Sequence, residues 1–145
     1  PGGGEAPPEG AASERMYDVR RVSAPETGEV LLAHPLLWQG SLTRSAILIV
    51  KRDSQATRGL VVNRRLPFTM GDLVDSPDAR SGKGMSGAAR ESLEVFRNNV
   101  IFRGGDVGQA FLSVLHPYAD LEGSEKVCEG VYWQCDLAAA KHLAE

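Results

Sequence analysis

Residues 28–66 read GEVLLAHPLLWQGSLTRSAILIVKRDSQATRGLVVNRRL, and this stretch decides the fold class. Three short aliphatic runs stand in it: Val30–Ala33, Ala46–Val50 and Gly59–Val62. Runs of about 4–8 apolar residues rich in Val, Ile and Leu, closed by polar or turn residues, mark strands buried on both faces. Pro35 closes the first run, because proline cannot donate to a ladder. Lys51-Arg52-Asp53 closes the second and Asn63-Arg64-Arg65 the third. The short polar connection from Asp53 to Arg58 fits an antiparallel pair, since a parallel crossover needs a dozen or more residues.

Downstream, Thr69-Met70-Gly71-Asp72 has the capping-box form, which places a short helix over about 70–75. Residues 76–87 (SPDARSGKGMSG) read as a flexible loop. Ala89, Leu93 and Phe96 share one helical face, giving a helix over about 88–98. Strands are expected at about 99–103, ended by Gly104-Gly105, and at about 110–115, ended by His116-Pro117. A further strand spans 127–133, bent at Glu129-Gly130. Asp136 is a good N-cap for an Ala- and Leu-rich helix over 137–145. Strands in runs with helices between them make an α+β fold with a mixed or antiparallel sheet.

Four ordered motifs resemble the AlgH-like family of bacterial and plastid proteins. They are Gly28-Glu29-Val30-Leu31-Leu32-Ala33-His34-Pro35, Arg44-Ser45 before the aliphatic run 46–50, Gly59-Leu60-Val61-Val62-Asn63-Arg64, and Gly104-Gly105 followed by Leu115-His116. The chain departs from the family pattern at Asp106, where proline usually follows the glycines, at Ala56, and at Trp38-Gln39-Gly40. The resemblance implies a bifurcated sheet folded into a pseudo-barrel with helices outside. It also implies a domain that continues past residue 145, so that residues 28–145 form an incomplete AlgH-like domain behind a tail at 1–27.

Composition bounds the rest. The chain has 145 residues, 42% apolar and 24% charged, enough for one domain with a real core. A net charge of −3 gives no general attraction to nucleic acid. The apolar runs fall far short of the roughly 20 residues that span a bilayer. Cys128 and Cys135 lack paired-cysteine spacing and read as free thiols. The first 14 residues, PGGGEAPPEGAASE, are rich in Pro, Gly, Ala and Glu and are expected to be disordered. They could be what remains after a transit peptide is removed, which with the family's presence in plastids raises a chloroplast location; a cytoplasmic one is the alternative.

No catalytic signature is present. Ser81-Gly82-Lys83-Gly84 fails the phosphate-loop pattern, and Gly84-Met85-Ser86-Gly87 is one residue short of a nucleophile elbow. Arg103 to Gly108 is no dinucleotide fingerprint. His34, His116, His142, Asp106 and the cysteines show no metal-ligand spacing, so neither a metal nor a cofactor is expected. The candidate ligand-binding set is Arg44, Ser45, Asn63, Arg64 and His116, all at ends of apolar runs, with the loop Gly104-Gly105. If the strand tips converge, these donors suit a small anion, a nucleotide phosphate or a carboxylate. Against this stands the plainer reading, given more weight, that they cap the sheet. The basic stretch Lys51, Arg52, Arg58, Arg64, Arg65 has only Phe68 near it and reads as a solvated face rather than a nucleic-acid surface.

Three functions therefore compete. The first is a non-enzymatic regulatory or assembly module, the second a small-anion or nucleotide-binding protein, the third a nucleic-acid-binding regulator. Missing later strands would leave a sheet edge open, so a protein partner or homo-oligomer is expected there.

Overall fold

The computed structural model describes residues 23–37, 40–82, 85–107 and 112–144. Of the expected tail, 1–22 lie outside the described residues, as do Trp38, Gln39 and positions 110–111 of the strand expected over 110–115. In chain order the elements are β1 (Val30–Leu32), β2 (Ala46–Arg52), β3 (Thr57–Val61), β4 (Arg65–Thr69), α1 (Met70–Val74), α2 (Pro77–Arg80), α3 (Gly87–Glu94), β5 (Val100–Phe102), β6 (Leu115–His116), β7 (Glu125–Cys128), β8 (Val131–Trp133) and α4 (Leu137–Ala144). The fold is α+β. Among the described residues every strand pairing is antiparallel, in three small sheets ordered β1-β2-β3, β4-β5 and β6-β8-β7. Among the described residues they do not close into a barrel.

The β2–β3 hairpin forms where the polar connection was expected. The Asp53 carboxylate accepts from the amides of Gln55 (2.8 Å) and Ala56 (2.9 Å), which fixes the turn. Those two amides, with lesser help from Arg58 and Lys51, hold the Asp53 carboxyl below its ordinary value. Leu48 and Val50 of β2 bury against Val127 and Trp133, with Leu60, Val62 and Val131 at the margin. That core joins the first sheet to the third. The exposed Lys51–Glu125 ion pair, 2.7 Å, spans the same junction, and such pairs add little.

A second core gathers Met70, Val74 and Leu93 with Leu73, Phe96, Ile101 and Leu137, so α1, α3, α4 and β5 meet there. The capping box of α1 is complete. Thr69 Oγ1 accepts from Asp72 N, and the Asp72 carboxylate accepts from Thr69 N at 2.7 Å.

Three local differences from the sequence reading have plain causes. The loop expected over 76–87 contains α2, since Ser76 caps it and Pro77 sits at its first turn, where a missing N–H is harmless. The strand β4 was not expected, because Pro67 lies inside it. It survives through an irregular register in which Arg65 pairs with Phe102 and Thr69 with Val100. The single bent strand over 127–133 is a hairpin: Gly130, at φ +70°, turns the chain between β7 and β8. In addition, α3 ends at Glu94, and among the described residues β6 keeps only Leu115 of the range expected over 110–115 and extends to His116.

The chain from Thr57 to Thr69 serves two sheets. Its first half pairs with β2 and its second with β5. Bonds from Val61 N to Gly104 O and from Arg103 N to Arg64 O, each 2.8 Å, stitch the two halves. The ends of β2 and β3 and the glycine loop are thereby brought to one place.

Candidate functional site

The connection from Gly40 to Ser45 folds back as a turn, with Ser45 N bonded to Leu42 O at 3.1 Å. It delivers Arg44 in the left-handed region, at φ +54°, which a side chain adopts at some cost. Ser45 follows, 3% exposed, its backbone carbonyl accepting from Ala33 N at 2.9 Å. Across the sheet, Asn63 leaves the end of β3. Its Oδ1 accepts from Ala46 N at 3.0 Å, and its Nδ2 donates to Arg44 O at 2.8 Å. Arg64 Nη2 donates to Thr43 O at 2.6 Å. The polar tip residues are thus brought together, and Asn63 and Arg64 act on the backbone of the 43–46 segment. This geometry is a set of ties: two side chains fill the hydrogen-bonding needs of a strand start.

The glycine loop joins this tip through Gly104 O, which accepts from Val61 N. Gly105 has φ +151°, a conformation side chains rarely take, so glycine is needed there. Arg103 and Asp106 close the loop as an exposed ion pair of 3.1 Å.

His116 belongs elsewhere. It lies on β6, in the third sheet, where Nε2 is 2.7 Å from Gln134 O and 3.2 Å from Ser124 Oγ. Tyr118 N–H donates to Nδ1 at 3.3 Å, so the fitting tautomer carries its proton on Nε2. The ring lies near-parallel to those of Tyr118 and Tyr132, with centroids 6.2 and 6.0 Å away. These partners all lie in the third sheet and its connections. Arg44, Ser45, Asn63, Arg64, Gly104 and Gly105 are therefore assembled at one tip, and His116 is organised around a different one.

Two groups at or near these tips keep an unused donor. Ser45 Oγ and Trp133 Nε1 are buried with no hydrogen-bond partner among the described residues. The surroundings of His116 were not legible in the sequence. Gln134 acts through its carbonyl and holds φ +62°, features that residue type does not announce. Ser86, part of the failed nucleophile pattern, is the N-cap of α3, its hydroxyl accepting from Ala89 N at 3.2 Å. Of the basic stretch, Lys51 pairs with Glu125, Arg52 donates to Pro25 O and Arg64 to Thr43 O. The ion pair offsets the charge of Lys51, whereas the carbonyl contacts of Arg52 and Arg64 fix those side chains and leave their charge in place.

Cys128 and Cys135 are free thiols. Cys128 pairs with Val131 beside the hairpin turn, while Cys135 lies two residues beyond Trp133 at the hairpin's other end. Burial, and secondarily Asp136, pushes the Cys135 thiol up. Among the described residues no cluster of three or more His, Cys, Asp or Glu could hold a metal, and no helix is long and apolar enough to cross a membrane.

The AlgH-like family profile matches residues 30–145. Similar curated proteins include several from bacteria. A UPF0301 protein of Bacteroides thetaiotaomicron is 23% identical over 117 residues, 81% of this chain and 52% of that protein. One of Chlamydia felis is 28% identical over 121 residues, covering 82% and 56% respectively. One of Xanthomonas axonopodis is 29% identical over 109 residues, covering 74% and 53%. The chain spans about half the length of the curated relatives it matches.

Proposed function

We propose that this chain, which belongs to the AlgH-like family, is a non-enzymatic interaction module with a regulatory or assembly role. One contrast carries the reading: the polar tips are turned inward on the backbone while apolar side chains stand in solvent. Asn63 and Arg64 spend their donors on Arg44 O and Thr43 O, and His116 faces Gln134 O. Val30, Leu32, Leu36, Leu37 and Leu42, all in or after β1, are 42–78% exposed. Exposed apolar residues gathered around one strand mark a surface for another polypeptide. The pseudo-barrel belongs to this proposal, supported by the chain from Thr57 to Thr69, whose two strands β3 and β4 join two sheets. A plastid location rests on the composition of residues 1–14 together with the family's presence in plastids, and an organelle import assay decides it.

A specific observation favours a second reading, anion binding. The Ser45 hydroxyl is buried and unpaired, next to an exposed, left-handed Arg44. Thermal-shift titration with phosphate, sulfate and nucleoside triphosphates separates the two. The interaction reading expects no stabilisation beyond matched ionic strength. A saturable shift that Arg44→Ala abolishes would put anion binding first.

A further inference from the structure

Among the described residues, strand β1 is an unguarded sheet edge. Its pairs with β2 are Val30↔Leu48, Leu31↔Ile47 and Leu32↔Ala46. Ile49 N donates to Glu29 O, and Ala33 N to Ser45 O, each at 2.9 Å. In an antiparallel ladder bonding direction alternates along the strand. The Glu29 carbonyl, Leu31 and Ala33 therefore face β2, the Glu29 amide turning back to Glu26 O, and Val30 and Leu32 direct their backbone groups outward.

Edges are normally protected by charge, proline or a bulge. β3 carries Arg58 and is partly covered by Gly104, β4 carries Arg65 and Pro67, and β7 carries Glu125 and Lys126. β1 carries Val30-Leu31-Leu32. Val30 and Leu32 share a sheet face with buried Leu48, yet are 52% and 60% exposed.

We infer that this edge pairs with β1 of a second copy, antiparallel about a twofold axis at Leu31, joining two three-stranded sheets into one of six. The inference rests on the interaction-module reading and names its partner. Three features favour a second copy. Val30 of one copy meets Leu32 of the other, so the outward amides and carbonyls of both residues pair reciprocally. Leu31 meets Leu31. Glu29 meets Ala33, so no like charges are opposed. Slipping the register by one residue toward the N-terminus sets Glu29 against Leu31; slipping it the other way draws in His34, beside Pro35.

Sedimentation equilibrium over a series reaching about 1 mM tests this. Wild-type protein is expected to reach the dimer mass. Leu32→Lys, at an exposed position, is expected to leave the monomer folded and weaken the dimer at least about tenfold. Phe102→Lys, at an exposed apolar position of β5, should leave it unchanged. With Cys128 and Cys135 replaced by serine, Leu31→Cys should form an intermolecular disulfide on oxidation, because Cβ atoms opposed in such a pair lie about 4.5–5.5 Å apart. Val30→Cys should not. Cross-linking through Val30→Cys instead, or a dimer lost with Phe102→Lys but kept with Leu32→Lys, would overturn the inference.

Amide exchange separates the two levels. A monomer at every concentration with rapidly exchanging Val30 and Leu32 amides removes the second copy and leaves the interaction module standing. Protection of both amides in the dilute monomer means the edge is covered within the chain, and both readings fall.

Discussion

Replacing Asn63 tests whether the polar tip is a structural tie. Its side chain accepts from Ala46 N at 3.0 Å and donates to Arg44 O at 2.8 Å, across 17 and 19 residues of chain. A hydrogen bond contributes a net of about 0.5–1.5 kcal/mol. Asn63 is exposed, so water replaces part of what is lost, and the lower half of that range applies to each bond. Asn63→Ala is thus expected to destabilise by about 1–2 kcal/mol. Asn63→Asp keeps the acceptor for Ala46 but sets a carboxylate oxygen against the Arg44 carbonyl where a donor stood. At neutral pH it should be at least as destabilising as the alanine change. Its folded-state pKa is raised, because only the protonated acid can donate to Arg44 O. The destabilisation is therefore full above that raised pKa and recedes as pH falls toward the unfolded value, while the alanine deficit stays flat. Urea unfolding with an unchanged m-value reads both. An Asn63→Ala protein within about 0.3 kcal/mol of wild type, or an aspartate variant tracking it at every pH, would refute the tie.

Further predictions concern the two cores and a thiol. Thr69→Ala removes the cap of α1 and should cost about 1 kcal/mol in urea unfolding. The amide and hydroxyl of Thr69 hold the Asp72 carboxyl below its ordinary value of 3.8, so the stability it contributes is present above that value and lost as pH falls through the lowered one. The Thr69→Ala deficit should therefore shrink in acid; one that grows in acid contradicts the cap. Gly59→Ala places a Cβ 2.6 Å from Ile47 Cγ2, so a loss of about 1–3 kcal/mol is expected. Adding Ile47→Ala should cost less than the sum of the single changes, and strict additivity would show that the clash relaxes elsewhere. With its thiol pushed up by burial, Cys135 should alkylate more slowly in the native protein than in the urea-unfolded chain, as peptide mass mapping can measure; equal rates would contradict its partial burial.

The aliphatic runs carried most of the fold. Ala46–Val50 and Gly59–Val62 lie in or over β2 and β3 because their burial pattern and turn residues agree, and Thr69 to Asp72 marked α1 because a cap is a local device. β4 was hidden by Pro67, whose local meaning is overridden when a bulged ladder leaves it unpaired. α2 was hidden because its glycine-rich surroundings outweighed the Ser76-Pro77 start signal. At the tip, Arg44, Ser45, Asn63 and Arg64 were legible as strand-end residues, since strand termini need partners. Their convergence depended on the 40–45 turn, and the placing of His116 with Gln134 and Ser124 on pairings 8 to 18 residues apart that no short motif encodes.

The strand order β6-β8-β7 carries a kinetic consequence. β7 and β8 are joined by residues 129–130 alone, so they can zip together on the microsecond scale of an isolated hairpin. β6 precedes both in the chain but binds the far side of β8, and it must wait for that hairpin to present an edge. Closing the intervening segment adds entropy loss before the two pairs of β6 give anything back. Pulse-labelled amide exchange during refolding should therefore protect Val131 and Trp133, which face β7, before Tyr132 and His116, which face each other, with the imidazole among the last groups of the third sheet to settle.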